Sequence, residues 1–366
     1  MLESLALIGR PAADLPTPAL TVDLDALEHN IRRMADLARS AGVALRPHIK
    51  THKTPAIAQL QRQAGAAGIA CATLGEADAM IEAGLDDILI TRAVIGPGKA
   101  AHAAALARRA TLRIALDAAP AADELGRAAQ AAGVTLGVLI EVNVGQNRCG
   151  LDPQDAPALV TLARRIAATP GLRFDGLQAY EGHAAFDPSE ATLAPIHAAA
   201  HAARRALEAA GIPPVIVSGA ATGTAAQTAA SGAYTEIQPG SYATMDARYS
   251  GVVGEHFRPA LGLLATVVSA PTPDRIVLDA GQKALSIDYG AAQVKGRGSD
   301  LAVLSNKASD EHAVIEVRAG RRPDVGEVLE LYPSHGCTTF NLHDRVFGLR
   351  GGLVEAVWPV MRGRSW

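Results

Sequence analysis

The chain has 366 residues, of which 34 are lysine or arginine and 37 aspartate or glutamate, for a formal charge of -3 and a composition that is 49% hydrophobic. At roughly 100–200 residues per domain this length predicts two domains, and the near-neutral balance, without a basic stripe or interleaved aromatics, excludes a nucleic-acid groove. Residues 1–11 carry no charged segment leading into an apolar core, and no stretch reaches the roughly 20 apolar residues of a membrane span, so a soluble, cytoplasmic protein is expected. Cys71, Cys149 and Cys337 are odd in number with no export signal, which points to free thiols or metal ligation rather than a disulfide framework.

Short apolar runs at 20–24, 43–48, 68–73, 87–91, 112–116, 136–142, 174–180, 215–218 and 235–240 predict strands. Alanine-rich amphipathic stretches at 54–66, 74–83, 100–109, 121–132, 156–168 and 195–210 predict helices long enough to carry the chain back to the start of the next strand. Repeated strand-helix units of this kind predict an α/β fold with a parallel (β/α)8 TIM-like barrel, an open doubly wound sheet being the alternative, and leave the first run as a surplus ninth strand. After about residue 258 the texture changes. Runs at 260–269, 275–279, 314–318, 328–332, 345–350 and 352–358, separated by Pro271, Pro273, Gly320 and Gly351-Gly352, predict an antiparallel β domain. With no low-complexity linker between the halves, the two domains are expected to pack firmly and share a site.

Barrel sites lie at the C-terminal ends of the strands, so each exit can be read in turn. The first is Arg46-Pro47-His48-Ile49-Lys50-Thr51-His52-Lys53. An amine on a rigid element among other cations is protonated less easily, and the free amine can condense with a carbonyl. A basic surface turn is the ordinary reading of the same residues. Arg148 follows the strand at 136–142 and could equally bridge loops. Tyr180 ends the strand at 174–180 and could simply be a buried ring. Ser218-Gly219-Ala220-Ala221-Thr222-Gly223-Thr224 supplies small residues, backbone N–H groups and hydroxyls suited to a phosphate, although ordinary turns use the same residues. Gly240, Ser241 and Tyr242 follow at the next exit. In the β domain, His335-Gly336-Cys337 points an imidazole and a thiol the same way if the backbone is extended, a pair of good Zn²⁺ donors at a spacing that is usually incidental.

Taken with Thr17-Pro18-Ala19-Leu20-Thr21-Val22-Asp23-Leu24-Asp25, Gly145-Gln146-Asn147-Arg148-Cys149-Gly150, Glu236-Ile237-Gln238-Pro239-Gly240-Ser241-Tyr242, Asp310-Glu311-His312 and Ser334-His335-Gly336-Cys337-Thr338-Thr339-Phe340-Asn341-Leu342-His343-Asp344, these blocks resemble the fold-type III pyridoxal-phosphate enzymes of the alanine racemase fold. The likeness is to the D-threonine aldolase and D-serine dehydratase family and covers nearly the whole chain. It implies a cofactor-binding barrel over 17–256, with the segment 20–24 outside the barrel proper, and an antiparallel β domain with a metal site over 257–366, joined by residues 1–16. It implies that Lys50 carries pyridoxal 5'-phosphate, that Thr222, Gly223, Thr224, Gly240, Ser241 and Tyr242 hold its phosphate, that Arg148 faces the pyridine nitrogen and that Tyr180 lies beside the ring. His335 and Cys337 would bind a divalent metal (Zn, Mn or Mg) backed by Asp310, Glu311 and His312, with His343 and Asp344 nearby. Lys50, His52 and His183 would move protons. The substrate would be a small β-hydroxy-D-amino acid, and the assembly a homodimer whose shared sites take Lys50 and His335 from different subunits.

Within that family His-x-Cys leans towards the dehydratases, whereas the wider match, including Gly240-Ser241-Tyr242-Ala243-Thr244-Met245-Asp246 and the ending Val357-Trp358, leans towards the aldolases. Glu181-Gly182-His183 departs from the aldolase histidine placement, which leaves the general base open. Retro-aldol cleavage to glycine and an aldehyde is the expected activity, and dehydration to a 2-oxo acid and ammonia the alternative. A non-catalytic pyridoxal-phosphate-binding relative lacks a β domain, and a racemase has no need of His335 and Cys337, so both rank below these two.

Overall fold

The computed structural model describes residues 6–363, which form two compact units: one of residues 6–33, 51–56 and 241–361, the other of 34–50, 57–240 and 362–363. After a short 3-10 turn at Ala12–Asp14 come strand β1 (Ala19–Asp23) and helix α1 (Leu24–Ala41). The Asp23 carboxylate accepts the Ala26 amide at 2.9 Å and so caps the helix, whose buried Leu24, Leu27, Ile31, Met34 and Ala38 recur at the three- and four-residue spacing of one helical face.

There follow β2 (Ala44–Leu45), α2 (Pro55–Gln63), β3 (Ile69–Cys71), α3 (Leu74–Glu82), β4 (Asp87–Ile90), α4 (Pro97–Leu106), β5 (Thr111–Leu116), α5 (Ala119–Ala132), β6 (Leu136–Glu141), α6 (Ala156–Ala168), β7 (Leu172–Gln178), α7 (Glu190–Ala209), β8 (Ile216–Gly219), α8 (Ala225–Ala230) and β9 (Glu236–Ile237). The eight strands β2 to β9 pair in parallel in the order β2-β9-β8-β7-β6-β5-β4-β3. A parallel bridge from His48 to Ala70 joins the two ends of that row, so the sheet closes as a barrel. Its strands are buried on both faces, β6 along its whole length, which is why they read as apolar runs rather than as alternations. The helices turn alanine and leucine inwards, as α5 does with Ala121, Ala122, Leu125 and Ala129.

The second sheet uses α9 (Ala247–Val253), β10 (Leu261–Thr272), β11 (Arg275–Leu278), β12 (Gln293–Val294), β13 (Leu301–Val303), β14 (Ala313–Val317), β15 (Val328–Tyr332), α10 (Gly336–Phe340), β16 (Arg345–Arg350) and β17 (Leu353–Pro359). Its nine strands run in the order β11-β14-β13-β12-β15-β10-β1-β16-β17, with β11 also pairing to β10. All neighbours are antiparallel except β1 and β16.

The fold class expected from the sequence is the one found. Against the expected division at 256/257, the compact units part at 240/241. β1 hydrogen-bonds to β10 on one side and β16 on the other, so the N-terminal segment is an interior strand of the nine-stranded sheet, and residues 241–256 belong to that unit as well. A strand belongs to the ladder that satisfies its backbone groups, whatever its place in the chain. Helices α1, α8, α9 and α10 and strands β12 and β13 were not anticipated, the two strands because they are two and three residues long. No described helix is long and apolar enough to cross a membrane.

Candidate active site

A cavity of about 310 Å³ opens at the exits of the barrel strands, lined by His48, Lys50, Glu141, Arg148, Gln178 and Tyr180 among others. Lys50 follows the bridge that closes the barrel. Its amide donates to His48 Nδ1 at 3.3 Å while His48 Nε2 meets the Thr91 hydroxyl at 2.9 Å, so one imidazole ties the turn carrying the amine to the exit of β4. The Lys50 Nζ lies 5.3 Å from the centroid of the Tyr180 ring and the Arg148 guanidinium 5.8 Å from it, so an amine and a guanidinium share one aromatic ring.

Glu141 and Gln178, at the ends of β6 and β7, form the polar part of the lining. Gln178 Nε2 donates to Glu141 Oε2 at 2.6 Å and to the Thr91 carbonyl at 3.0 Å, and Arg148 stands 3.6 Å from Glu141 Oε1. Burial raises the Glu141 carboxyl above its ordinary value, with the Gln178 bond and the Arg148 charge pulling the other way. Gln178 Oε1 is buried without a hydrogen-bond partner, an acceptor held at the cavity for a donor. An amine, an aromatic face, a permanent cation and an unpaired acceptor around this volume fit an aromatic aldehyde such as pyridoxal phosphate.

Several residues expected at the site lie outside this lining. Arg46 does not crowd Lys50: its guanidinium is spent on Glu236 at 2.8 Å and Asp87 at 2.6 Å. His52 is fully buried, with Nδ1 accepting the Thr54 amide at 3.1 Å, and serves the turn rather than an open site. His183 is exposed in the turn Gly182–Ala184, where its ring packs over Gly145, and it is not in the cavity lining. Thr224 gives its hydroxyl to Glu181 and its amide to the Ala221 carbonyl, so neither is turned to a phosphate. Thr222 and Gly223 are buried just before it, and Gly240 follows β9. Ser241 and Tyr242 are buried in the other unit, Tyr242 edge-on to Phe257 at 6.1 Å.

The second cluster is built on a short helix rather than the extended backbone expected. His335 is the residue before α10, and Asp246 holds the turn by accepting the Gly336 amide at 2.9 Å while its other oxygen caps α9 at the Tyr249 amide. His335 Nδ1 meets Asp288 at 2.6 Å and the ring stacks on Tyr289 with centroids 4.0 Å apart. Burial alone would lower the His335 pKa, but the adjoining Cys337 sulfur and Asp288 carboxylate push it up to about 9. Cys337 Sγ lies 3.4 Å from the Thr51 hydroxyl. Asp310 and Glu311 are elsewhere, paired with Lys283 at 3.7 and 3.0 Å on the surface, and His312 is exposed beside them. His343 is tied to the Ala284 carbonyl at 2.8 Å, and Asp344 accepts the Val360 amide through its backbone. Among the described residues no three histidine, cysteine or carboxylate side chains converge on a metal position. His335 and Cys337 stand as a pair, with Asp288 fixing the imidazole as outer carboxylates do for metal-bound histidines.

Asp288, Gln178 and Glu141 carried no sequence signal, because each gains its role from a residue tens of positions away. Glu181 was visible only as part of a departure from pattern.

The alanine racemase N-terminal domain family matches residues 22–248, and a D-serine dehydratase-like domain matches 260–349. The chain belongs to this family. Its relatives are pyridoxal-phosphate-dependent enzymes of fold type III. The chain is 41% identical to a D-threonine aldolase of Arthrobacter sp over 96% of this chain and 94% of that one, and 39% identical to a 3-hydroxy-D-aspartate aldolase of Paracoccus denitrificans (strain Pd 1222) over 99% and 96%. The crystal structure of D-threonine aldolase from Filomicrobium marinum superposes with a TM-score of 0.94 at 40% identity, covering 98% of each chain. A D-threo-3-hydroxyaspartate dehydratase variant in its metal-free form gives 0.86 at 29% identity, covering 95% of this chain and 98% of that one.

Proposed function

We propose that this protein is a lyase that cleaves small β-hydroxy-D-amino acids between Cα and Cβ, releasing glycine and an aldehyde, with D-threonine and 3-hydroxy-D-aspartate as the substrate class. The observation that carries the reading is the likeness, along the whole chain, to aldolases acting on those two compounds. The cavity supports it, because its amine, ring and cation suit a carbonyl cofactor.

Bound there, pyridoxal phosphate would supply an electron sink for the bond broken at Cα, and a divalent cation a Lewis acid for the β-hydroxyl. Lys50 would hold the cofactor and, as the lysine of the cavity lining, return a proton at Cα. Tyr180 would support the ring face. The Arg148 guanidinium offers only donors, so a ring nitrogen meeting it stays an acceptor. Thr222, Gly223 and Gly240 would take the phosphate. His335 and Cys337 would hold the metal, with Asp288 locking the imidazole. We further assign the active form as a homodimer, checked by mass in solution.

A second reading, elimination to a 2-oxo acid and ammonia, is favoured by Cys337 in the His-x-Cys pair and by the likeness to the dehydratase. One assay separates the two. Protein supplied with pyridoxal phosphate and Mn²⁺ or Zn²⁺ is given D-threonine and 3-hydroxy-D-aspartate. Glycine without ammonia is expected; ammonia without glycine would overturn the aldolase reading.

A further inference from the structure

The loop between β8 and α8 was expected to present its backbone N–H groups to a phosphate. Its first two amides are already taken. Ala220 N and Ala221 N donate to the two carboxylate oxygens of Glu181, at 3.0 and 3.1 Å, and the Thr224 hydroxyl donates to the same group. Glu181 is fully buried, and all of these contacts are donors to it, the pattern that an anion finds in a nest of successive amides. The carboxylate therefore occupies, from inside the protein, part of the cradle that a loop of this kind otherwise offers to a ligand.

The loop bends where it is held. Ala220 has a φ of 75°, a left-handed conformation that costs an alanine energy and persists only where surrounding contacts fix it. Its amide is one of those on Glu181. Just before it, Gly219 approaches the backbone so closely that a Cβ would lie 2.4 Å from the Ala179 carbonyl oxygen and 2.5 Å from the Tyr234 ring. The Tyr234 hydroxyl donates to that same Ala179 carbonyl at 2.9 Å. Residues 179–181 and 218–221 are thus laced into one body, and Glu181 adjoins Tyr180, whose ring faces Lys50.

We propose that Glu181 is a positioning residue that pre-forms the phosphate loop: it occupies the Ala220 and Ala221 amides so that the cofactor phosphate is received by Thr222 and Gly223, and it ties that loop to the strand exit bearing Tyr180. This rests on the reading that the cavity binds pyridoxal phosphate. A loop held in its bound shape before the ligand arrives spares the ordering cost of binding, so the effect falls on affinity for the phosphorylated cofactor.

The experiment compares apo-protein titrated with pyridoxal phosphate and with pyridoxal, which has the same ring and aldehyde but no phosphate, following the absorbance of the bound chromophore. Glu181→Gln keeps the side chain's size and sets an NH₂ donor among donors. It is expected to weaken pyridoxal phosphate at least tenfold and leave pyridoxal within twofold of the unaltered protein. Thr224→Val removes one donor with little change of volume, is expected to shift the same ratio by a smaller factor, and serves if the first variant does not fold. An equal loss for both ligands, or no loss for either, would overturn the positioning role. If the unaltered protein binds neither, the cofactor reading itself fails, and the inference with it.

Discussion

Towards the strand starts of the barrel, Arg46 reaches Glu236 and Asp87, Arg113 reaches Asp87 and Asp175 at 2.8 and 2.9 Å, and Arg173 closes on Asp175 at 2.5 Å. At the strand exits, Lys50 faces an aromatic ring, Arg148 is 50% exposed and 3.6 Å from Glu141, and Gln178 keeps an unpaired oxygen. The same residue types stand at both ends of one barrel. At the first, the charges close on one another; at the second, hydrogen-bonding and charge capacity remains beside a cavity. Charge density therefore does not mark the site, whereas incomplete pairing does.

The sharpest test of that contrast is Lys50→Ala. Removing the amine should lower the rate of cleavage by roughly 10²–10⁴-fold while the melting temperature of the apo-protein stays near that of the unaltered chain. A large fall in melting temperature would break the contrast by giving Lys50 a structural role. The converse is Arg46→Met at the paired end. It strands Glu236 in the barrel, leaves Asp87 to Arg113 alone, and should cost about 3–5 kcal/mol in urea unfolding, with activity per folded molecule retained.

Asp288→Asn extends the comparison to the β unit. If Asp288 acts on the metal through His335, metal affinity should fall roughly 10–100-fold, with activity recovered at higher metal concentration. Unchanged metal titrations would place Asp288 with the structural pairs.

Glu141→Gln should have the smallest effect, and it depends on pH. Burial first of all raises the folded-state carboxyl above its unfolded value, so the stability contributed by Glu141 is present below the ordinary carboxylate range and is lost as pH rises through the raised value. The variant should therefore melt higher relative to the unaltered protein at pH 8 than at pH 4. An equal difference at both would show that Glu141 is compensated as fully as Glu236.

The sequence alone established the alternation of strands and helices, the change of texture near residue 258, the lysine at the first strand exit, and the family blocks that place Arg148, Tyr180, His335 and Cys337. Those are local properties: periodicity, turn chemistry and short ordered motifs survive being read along a line. Tertiary structure alone decided that β1 lies between β10 and β16, that Arg46 turns away from Lys50, that His52 caps a turn, that His183 stands outside the cavity, and that Asp288 rather than Asp310 or Glu311 meets His335. In each of these cases a polar group is assigned by whichever partner satisfies it once water is removed, and that partner lies far away in the chain. Glu181 shows the division most plainly. Its neighbours in sequence suggested a misplaced base, and only the folded loop around it shows a carboxylate filling a nest of amides.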